Sequence, residues 1–457
     1  MTEMIARFAP SPTGNLHIGS ARTALINFIS KSQNINSKLY LRIEDTDKER
    51  STVEFKNNIL SGLKWLGIDW DNEPQIQSQN INRHLEIANK LLTDNKAYKC
   101  ICSENKLNER RKKINSGEIT SKKICISCEK NTEVQNLEKD YVIRIKIPFE
   151  GNGIIEDVVQ GKVEIKNSEI DDYVLVRRDG TPTYMLSVVV DDHDMGIECV
   201  IRGDDHINNT PRQINIFKAL GVKEPIYGHV PMILGEDGKR LSKRHGAVGV
   251  SEYEQLGVLP DALKNYLVRL GWSLGDQEIF NHEELVNKFK EGNINNSPSA
   301  FSFEKLSWFN KEYLSQIDSE HLLATLSSME TEFSQDDYSL EVLNLIRQRC
   351  SLMSDFSSES EYFFRDVEDY DPKAVKKCIN QQAIELLSEV LLEFEGSESW
   401  KASDVQEIIE KVLSKHELGF GKIGLPSVSL YNDTFPDTIG MSNPSQALEI
   451  PLIQPTN

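Results

Sequence analysis

Apolar residues cluster at Met4-Ile5-Ala6 and Phe8, stop at Pro10 and Pro12, and resume beyond Gly14 with helical spacing through Ile18, Ala21, Leu25 and Phe28. That pattern predicts a strand, a tight turn and a helix, the opening of an α/β domain. Leu39-Tyr40-Leu41-Arg42-Ile43 predicts the next strand and carries Glu44-Asp45-Thr46-Asp47 at its carboxyl end, where open α/β sheets place their ligands. Helical spacing through Ile59, Leu60, Leu63 and Leu66 breaks at Gly67. Strict alternation over Tyr141-Val142-Ile143-Arg144-Ile145-Lys146-Ile147 predicts a half-buried strand, and the apolar runs Tyr173 to Val176 and Leu186 to Val190 predict two more, the second ending in Asp191-Asp192-His193.

From Leu259 to Leu270 the spacing is helical, with Pro260 placed where a first turn tolerates it. Past residue 320 almost every apolar position falls on helical spacing, from Leu322 and Leu323 to Val390, Leu391 and Leu392. We therefore expect half of an α/β sheet domain at 1–71 and an insertion at 72–185. The second half of the sheet follows at 186–245, a helical junction at 246–320 and a mainly helical module at 321–457. The stretch from Gly419 to Asn457 is rich in Pro, Gly, Ser and Asn and has no clear periodicity.

Composition changes this picture little. The chain has 457 residues, enough for several cores, with 39% hydrophobic and 27% charged positions and no apolar run long enough to cross a bilayer. Its first residues lack the basic and apolar segments of an export signal, so a cytoplasmic protein with no membrane role is expected. The net charge of -19 opposes indiscriminate attraction to nucleic acid and leaves local basic grooves as the route to it: Arg110-Arg111-Lys112-Lys113, Lys122-Lys123, and Arg240 with Lys243-Arg244. Four of seven cysteines share one window, as Cys100-Ile101-Cys102 and Cys125-Ile126-Ser127-Cys128. In a reducing compartment such a cluster favours metal over disulfides, and four thiolates suffice for a closed tetrahedral Zn²⁺ site.

Two distant segments carry the chemistry. In Ala9-Pro10-Ser11-Pro12-Thr13-Gly14-Asn15-Leu16-His17-Ile18-Gly19-Ser20 a turn becomes a helix, whose free N-H groups suit an anion, and Gly19 lets it approach closely. In Gly238-Lys239-Arg240-Leu241-Ser242-Lys243-Arg244-His245-Gly246 cations crowd around a serine, a costly arrangement unless an anion compensates it. Together they predict a grip on a nucleotide's phosphates from two sides, with cations stabilising the charge that develops on a leaving pyrophosphate.

These motifs resemble those of class I aminoacyl-tRNA synthetases, a His-Ile-Gly-His type turn and a Lys-Met-Ser-Lys-Ser type loop. Ser20 stands in for the last His of the turn, and Arg240 and Arg244 for the ends of the loop. The run from Arg7 to Leu25, Leu41 to Asp47, and Leu241 to Ala247 have the form of the bacterial glutamyl-tRNA synthetase branch, and the resemblance covers about residues 4–320. It implies a Rossmann-like parallel-sheet catalytic domain with a connective, acceptor-binding insertion, followed by all-α anticodon-binding domains.

The resemblance further implies that ATP with Mg²⁺ activates L-glutamate, with His17, Lys243 and Arg240 catalytic and Gly19, Asp205, Ser242 and Arg244 also holding ATP. Arg7 and Arg202 would bind the substrate carboxylates, Glu44 the amino group, and Ser11 and Tyr184 would line the same pocket. It implies one structural Zn²⁺ on Cys100, Cys102, Cys125 and Cys128, acceptor-stem contacts from Arg110, Arg111, Lys112 and Lys113, and a monomer that needs bound tRNA for activation. The substrate RNA would be tRNA-Glu, or both tRNA-Glu and tRNA-Gln in a non-discriminating enzyme. A non-catalytic tRNA-binding relative is the reading from another class. The usual continuation after Pro426 is absent, so no anticodon-reading residue is named.

Overall fold

The computed structural model describes residues 3–119, 121–241, 249–329, 331–365, 376–377, 379–397 and 402–422. Contacts divide the chain into two units, residues 1–310 and 311–457. In the first, strands β1 (Ile5–Phe8), β2 (Lys38–Ile43), β3 (Gln75–Ile76), β4 (Ala97–Cys100), β5 (Val142–Ile145), β6 (Asn152–Asp157), β7 (Gly161–Lys166), β8 (Val174–Val176), β9 (Cys199–Gly203) and β10 (Ile226–Val230) form two sheets, and a short parallel pair joins Ile233–Leu234 to Ser299–Ala300. Seven strands make the main sheet in the order β3-β2-β1-β9-β10-β6-β7, parallel throughout except for β7. Strand order reverses at β1, which has β2 on one side and β9 on the other, so a crevice opens at their carboxyl ends.

Helices α1 (Ile18–Ser32), α2 (Val53–Trp65), α3 (Ile81–Thr93), α4 (Glu104–Asn115), α5 (Thr132–Gln135), α6 (Tyr184–Asp194) and α7 (Thr210–Leu220) cover the sheets. The antiparallel sheet β4-β5-β8 packs its Ile143, Ile145 and Leu175 against Ile87 and Leu91 of α3 and Val189 of α6. Two sequence expectations change. Residues 186–190 belong to α6 rather than a strand: Leu186 to Asp192 are all buried, and a segment enclosed on every side loses the polar face that would reveal its period. Within the 72–185 segment, the β6–β7 hairpin extends the main sheet, because β6 aligns parallel to β10 at Tyr227.

In the second unit the regular elements among the described residues are helices. Helices Ser319–Ser327, Asp337–Ile346 and Asp355–Phe364 follow one another, and Gln381–Glu395 packs on Ala402–Lys415 through Leu386, Val390, Val405, Ile409 and Val412. None of the described helices is long and apolar enough to cross a membrane.

Candidate active site

The turn from β1 to α1 places His17 as the helix cap. Its Nδ1 accepts from the Ser20 amide at 3.2 Å, leaving its proton on Nε2, which stands 3.0 Å from Ser20 Oγ. A Cβ on Gly19 would lie only 3.1 Å from His17 Nδ1, so that glycine also makes room for the ring. Loss of hydration beside the protein and the neighbouring Arg240 lower the His17 pKa, with Asp205 pulling the other way. The imidazole is neutral near pH 7 and can donate from Nε2.

Arg240 is close enough to act on His17, and the chain on either side of the cationic loop is anchored, on the far side to the turn itself. On one side Leu234 bridges Arg240 across a tight turn in which Gly238 has φ of 72°. On the other, Gly249 pairs with His17 and the Val250 amide donates to Leu16 O at 2.8 Å. Ser242, Lys243 and Arg244 lie outside the described residues. Asp205 is exposed on the 3₁₀ turn after β9, and a Cβ on Gly203 would come within 2.6 Å of its carboxylate.

Below this rim, the carboxyl ends of β1, β2 and β9 deliver Arg7, Glu44 and Arg202, all at most 6% exposed. Arg42, fully buried, donates from Nη1 to Asp192 Oδ1 at 2.7 Å and from Nη2 to Glu44 Oε1 at 3.0 Å, and lies 3.9 Å from Asp191. Burial alone would weaken its charge, but Asp192, Glu44 and Asp191 overcome that and raise its pKa. Arg7 reaches the same Asp192 at 3.4 Å. Burial likewise works against the Asp192 charge, but Arg42 and Arg7 hold its carboxyl below the usual range; for Glu44 burial prevails and its pKa is raised. Gln77, Asn80 and His84 anchor Asp191.

Arg202 differs. Its Nη2 donates to Thr210 Oγ1 at 2.7 Å and Gln213 Oε1 at 2.8 Å, and its Nε to His229 Nε2 at 3.1 Å, all neutral acceptors. Its Nη1 is buried with no hydrogen-bond partner, and among the described residues no carboxylate pairs with it. Burial lowers its pKa. An unpaired buried guanidinium edge of this kind is costly unless an anion joins it. Tyr184, at the start of α6, donates to His206 Nδ1 at 3.2 Å; burial, with Glu44 nearby, pushes its phenol up to about 12, while burial and Arg202 push His206 down to about 4. Ser11 is exposed on the turn above.

The cysteine window folds as two knuckles beside β4. Cys102 Sγ lies 3.6 Å from the sulfurs of both Cys125 and Cys128, and all four sulfurs fall within 4.8 Å of one another. Four sulfurs each about 2.3 Å from a zinc ion would stand about 3.8 Å apart, so the residues fit a tetrahedral thiolate site. A hydrogen bond from Cys100 holds Cys125 down to about 5, and Cys100 is driven up by the same bond. Gln135 braces the knuckles by donating to Cys128 O at 2.7 Å and Lys99 O at 2.9 Å. On α4, Arg111, Lys112 and Lys113 are exposed, whereas Arg110 turns inward to donate to Lys123 O at 2.6 Å.

The sequence pattern did not single out Arg42, Asp191, His229 or Asp157. A lone arginine inside the apolar strand Leu39–Ile43 was a signal for Arg42, since an interior charge demands partners.

Comparison with known proteins agrees with this arrangement. The class I (E and Q) tRNA synthetase catalytic domain matches residues 3–308, and an anticodon binding domain matches residues 304–427. A glutamate tRNA ligase from Elizabethkingia meningosepticum, solved in complex with its amino acid, superposes with a TM-score of 0.79 at 27% identity, covering 98% of this chain and 97% of its own. A glutamate-tRNA synthetase from Elizabethkingia anophelis gives a TM-score of 0.77, again at 27% identity, with the same coverage. The chain belongs to the class I tRNA synthetases of the E and Q type.

Proposed function

We propose that this enzyme joins L-glutamate to tRNA-Glu through a glutamyl-adenylate. The buried Nη1 of Arg202, a cation without an anion beside the crevice of a class I synthetase, carries this reading. The substrate's side-chain carboxylate supplies the missing charge and accepts a charge-assisted hydrogen bond from Nη1. Arg7 steers the other carboxylate, Glu44 accepts from the ammonium, and Tyr184 and Ser11 close the pocket.

The α-carboxylate oxygen attacks the ATP α-phosphorus in line, a bond forms there, and the bond to the pyrophosphate oxygen breaks. His17 donates from Nε2 to phosphate oxygens from one side. Arg240, Ser242, Lys243 and Arg244 meet the departing pyrophosphate from the other, Gly19 gives the phosphates room, and Asp205 faces the nucleoside. The terminal ribose hydroxyl of the tRNA then attacks the activated carbonyl and AMP leaves. Most of the acceleration comes from alignment and fixed charge. Mg²⁺ accompanying ATP screens the phosphates. Arg111, Lys112 and Lys113, exposed on α4, neutralise acceptor-stem phosphates, with Arg110 holding the knuckle behind them.

Pyrophosphate exchange into ATP tests the proposal: it should require glutamate and cognate tRNA together. Folded, zinc-replete protein that exchanges with no amino acid would refute it. Charging purified tRNA-Glu and tRNA-Gln side by side measures how narrow the RNA choice is.

Zn²⁺ on Cys100, Cys102, Cys125 and Cys128 would brace the insertion without taking part in the reaction, as all four ligand positions are filled by sulfur. Purified protein should carry one zinc per chain, and Cys102→Ser should both lower that content and open the 100–130 segment to protease. Metal-free protein with four titratable thiols and unchanged protease resistance would remove zinc from the account.

A further inference from the structure

Behind Arg202 lies a chain of buried groups reaching away from the substrate. Its nearest member is His229, which faces Arg202 directly across the β9–β10 register and is fully buried. Its Nδ1 lies 2.6 Å from Asp157 Oδ2, and its Nε2 accepts from Arg202 Nε at 3.1 Å. Asp157 ends β6 and is itself fixed: Oδ1 accepts the backbone amides of Val159, Gln160 and His229 at 2.9, 2.8 and 3.1 Å. Burial opposes the Asp157 charge, but the bond from His229 and these amides prevail and lower its pKa; burial lowers His229 against the pull of Asp157.

Thr210 Oγ1 also stands 3.0 Å from His229 Nε2 and can send its own proton to His206 O at 3.4 Å, so the fixed Arg202 Nε donor selects one arrangement. An ionised Asp157 takes a proton bond from Nδ1, so Nε2 of the neutral ring keeps a lone pair, the only form that can accept from a guanidinium. A protonated ring would set one cation's N-H against another's. With Nε engaged by His229 and Nη2 by Thr210 and Gln213, only the Nη1 edge is left for a ligand. Because every clamp on Arg202 is neutral, none competes with the ligand for its charge.

We propose that Asp157 and His229 are positioning residues that fix the orientation of Arg202 through one imidazole tautomer, and so make the pocket select a carboxylate over the carboxamide of glutamine. This rests on Arg202 binding the substrate's side-chain carboxylate. A ligand carboxamide brings no charge and leaves the buried cation unpaired, while a guanidinium free to turn could satisfy itself elsewhere and lose that preference.

Asp157→Asn tests the tautomer with little change of shape. Its carboxamide oxygen can keep the backbone amides, but its NH₂ now donates to Nδ1, moving the ring proton to Nε2, where it opposes Arg202 Nε. The KM for glutamate should rise about ten- to a hundredfold, the scale of one charge-assisted hydrogen bond, with kcat and the KM for ATP within about threefold. The glutamate-to-glutamine preference should fall by a similar factor. His229→Gln, which can place a carbonyl oxygen toward Arg202 Nε, should recover part of the preference that His229→Leu loses.

Nitrogen-15 spectra of labelled histidine should show His229 as the Nδ1-H tautomer in the parent and the Nε2-H tautomer in Asp157→Asn. An imidazolium or Nε2-H ring in the parent overturns the proposal. So does a flipped tautomer with unchanged KM and preference, or a loss confined to kcat and thermal stability. An Arg202→Gln enzyme that keeps its glutamate KM would instead show that the carboxylate reading beneath the proposal is at fault.

Discussion

Arg202→Gln is expected to reduce kcat/KM for glutamate by roughly three orders of magnitude while leaving the urea midpoint of folding unchanged or slightly raised. The functional loss follows from removing one partner of a buried, hydrogen-bonded charge pair, which costs about 2–5 kcal/mol, and about 4 kcal/mol within that range is a thousandfold. The stability forecast follows from what surrounds the side chain. Thr210, Gln213 and His229 are neutral, and burial has already lowered the Arg202 pKa, so the free protein bears the desolvation of a cation that is only partly offset by neutral hydrogen-bond acceptors. A group held against its preferred state in the absence of ligand is a common cost of a binding site. Urea titration of the free enzyme together with glutamate-dependent pyrophosphate exchange separates the two effects. A variant that unfolds much earlier than the parent would mean that Arg202 has an internal counterion and is part of the core.

The local pattern of the chain made the edges of this site readable. The β1 strand, the turn at Gly14, the α1 spacing and the acidic end of β2 are short-range features, and the structure brings Arg7, Glu44, Tyr184 and Arg202 to one crevice from four separate segments. The supporting layer could not be read in that way. Arg42 meets Asp192 across 150 positions of sequence, and His229 meets Asp157 across 72, pairings set by strand order. The run at 186–190 misled for a related reason: α6 is enclosed between α3, α7 and the small sheet, and only its acidic end at Asp191 and Asp192 hints at the arginines it faces. Arg110 shows the limit of composition, since its charge looks the same as that of Arg111 until the bond to Lys123 is seen.

Arg42→Met should produce the opposite outcome to Arg202→Gln, although both arginines are buried at the same crevice. Arg42 is held by Asp192, Glu44 and Asp191, so removing it strands carboxylates in the interior, where losing one partner of a buried pair costs about 3–5 kcal/mol. With an m-value of about 2–3 kcal/mol per molar, that is a urea midpoint lower by roughly 1–2 M at pH 7. The pH dependence identifies the cause. In the parent, Asp192 is held below its ordinary pKa, burial being outweighed first by Arg42, so it stabilises the fold above the unfolded value and loses that contribution as pH falls through the folded one. In the variant the stranded carboxylates have folded pKa values above their unfolded ones. The fold is then least penalised below the unfolded pKa, and stability is lost as pH rises through the folded value. The difference between parent and variant should therefore be widest near pH 7 and narrow steadily toward pH 4. A gap that stays constant over that range would assign the damage to lost packing of the Arg42 stem rather than to unpaired charge.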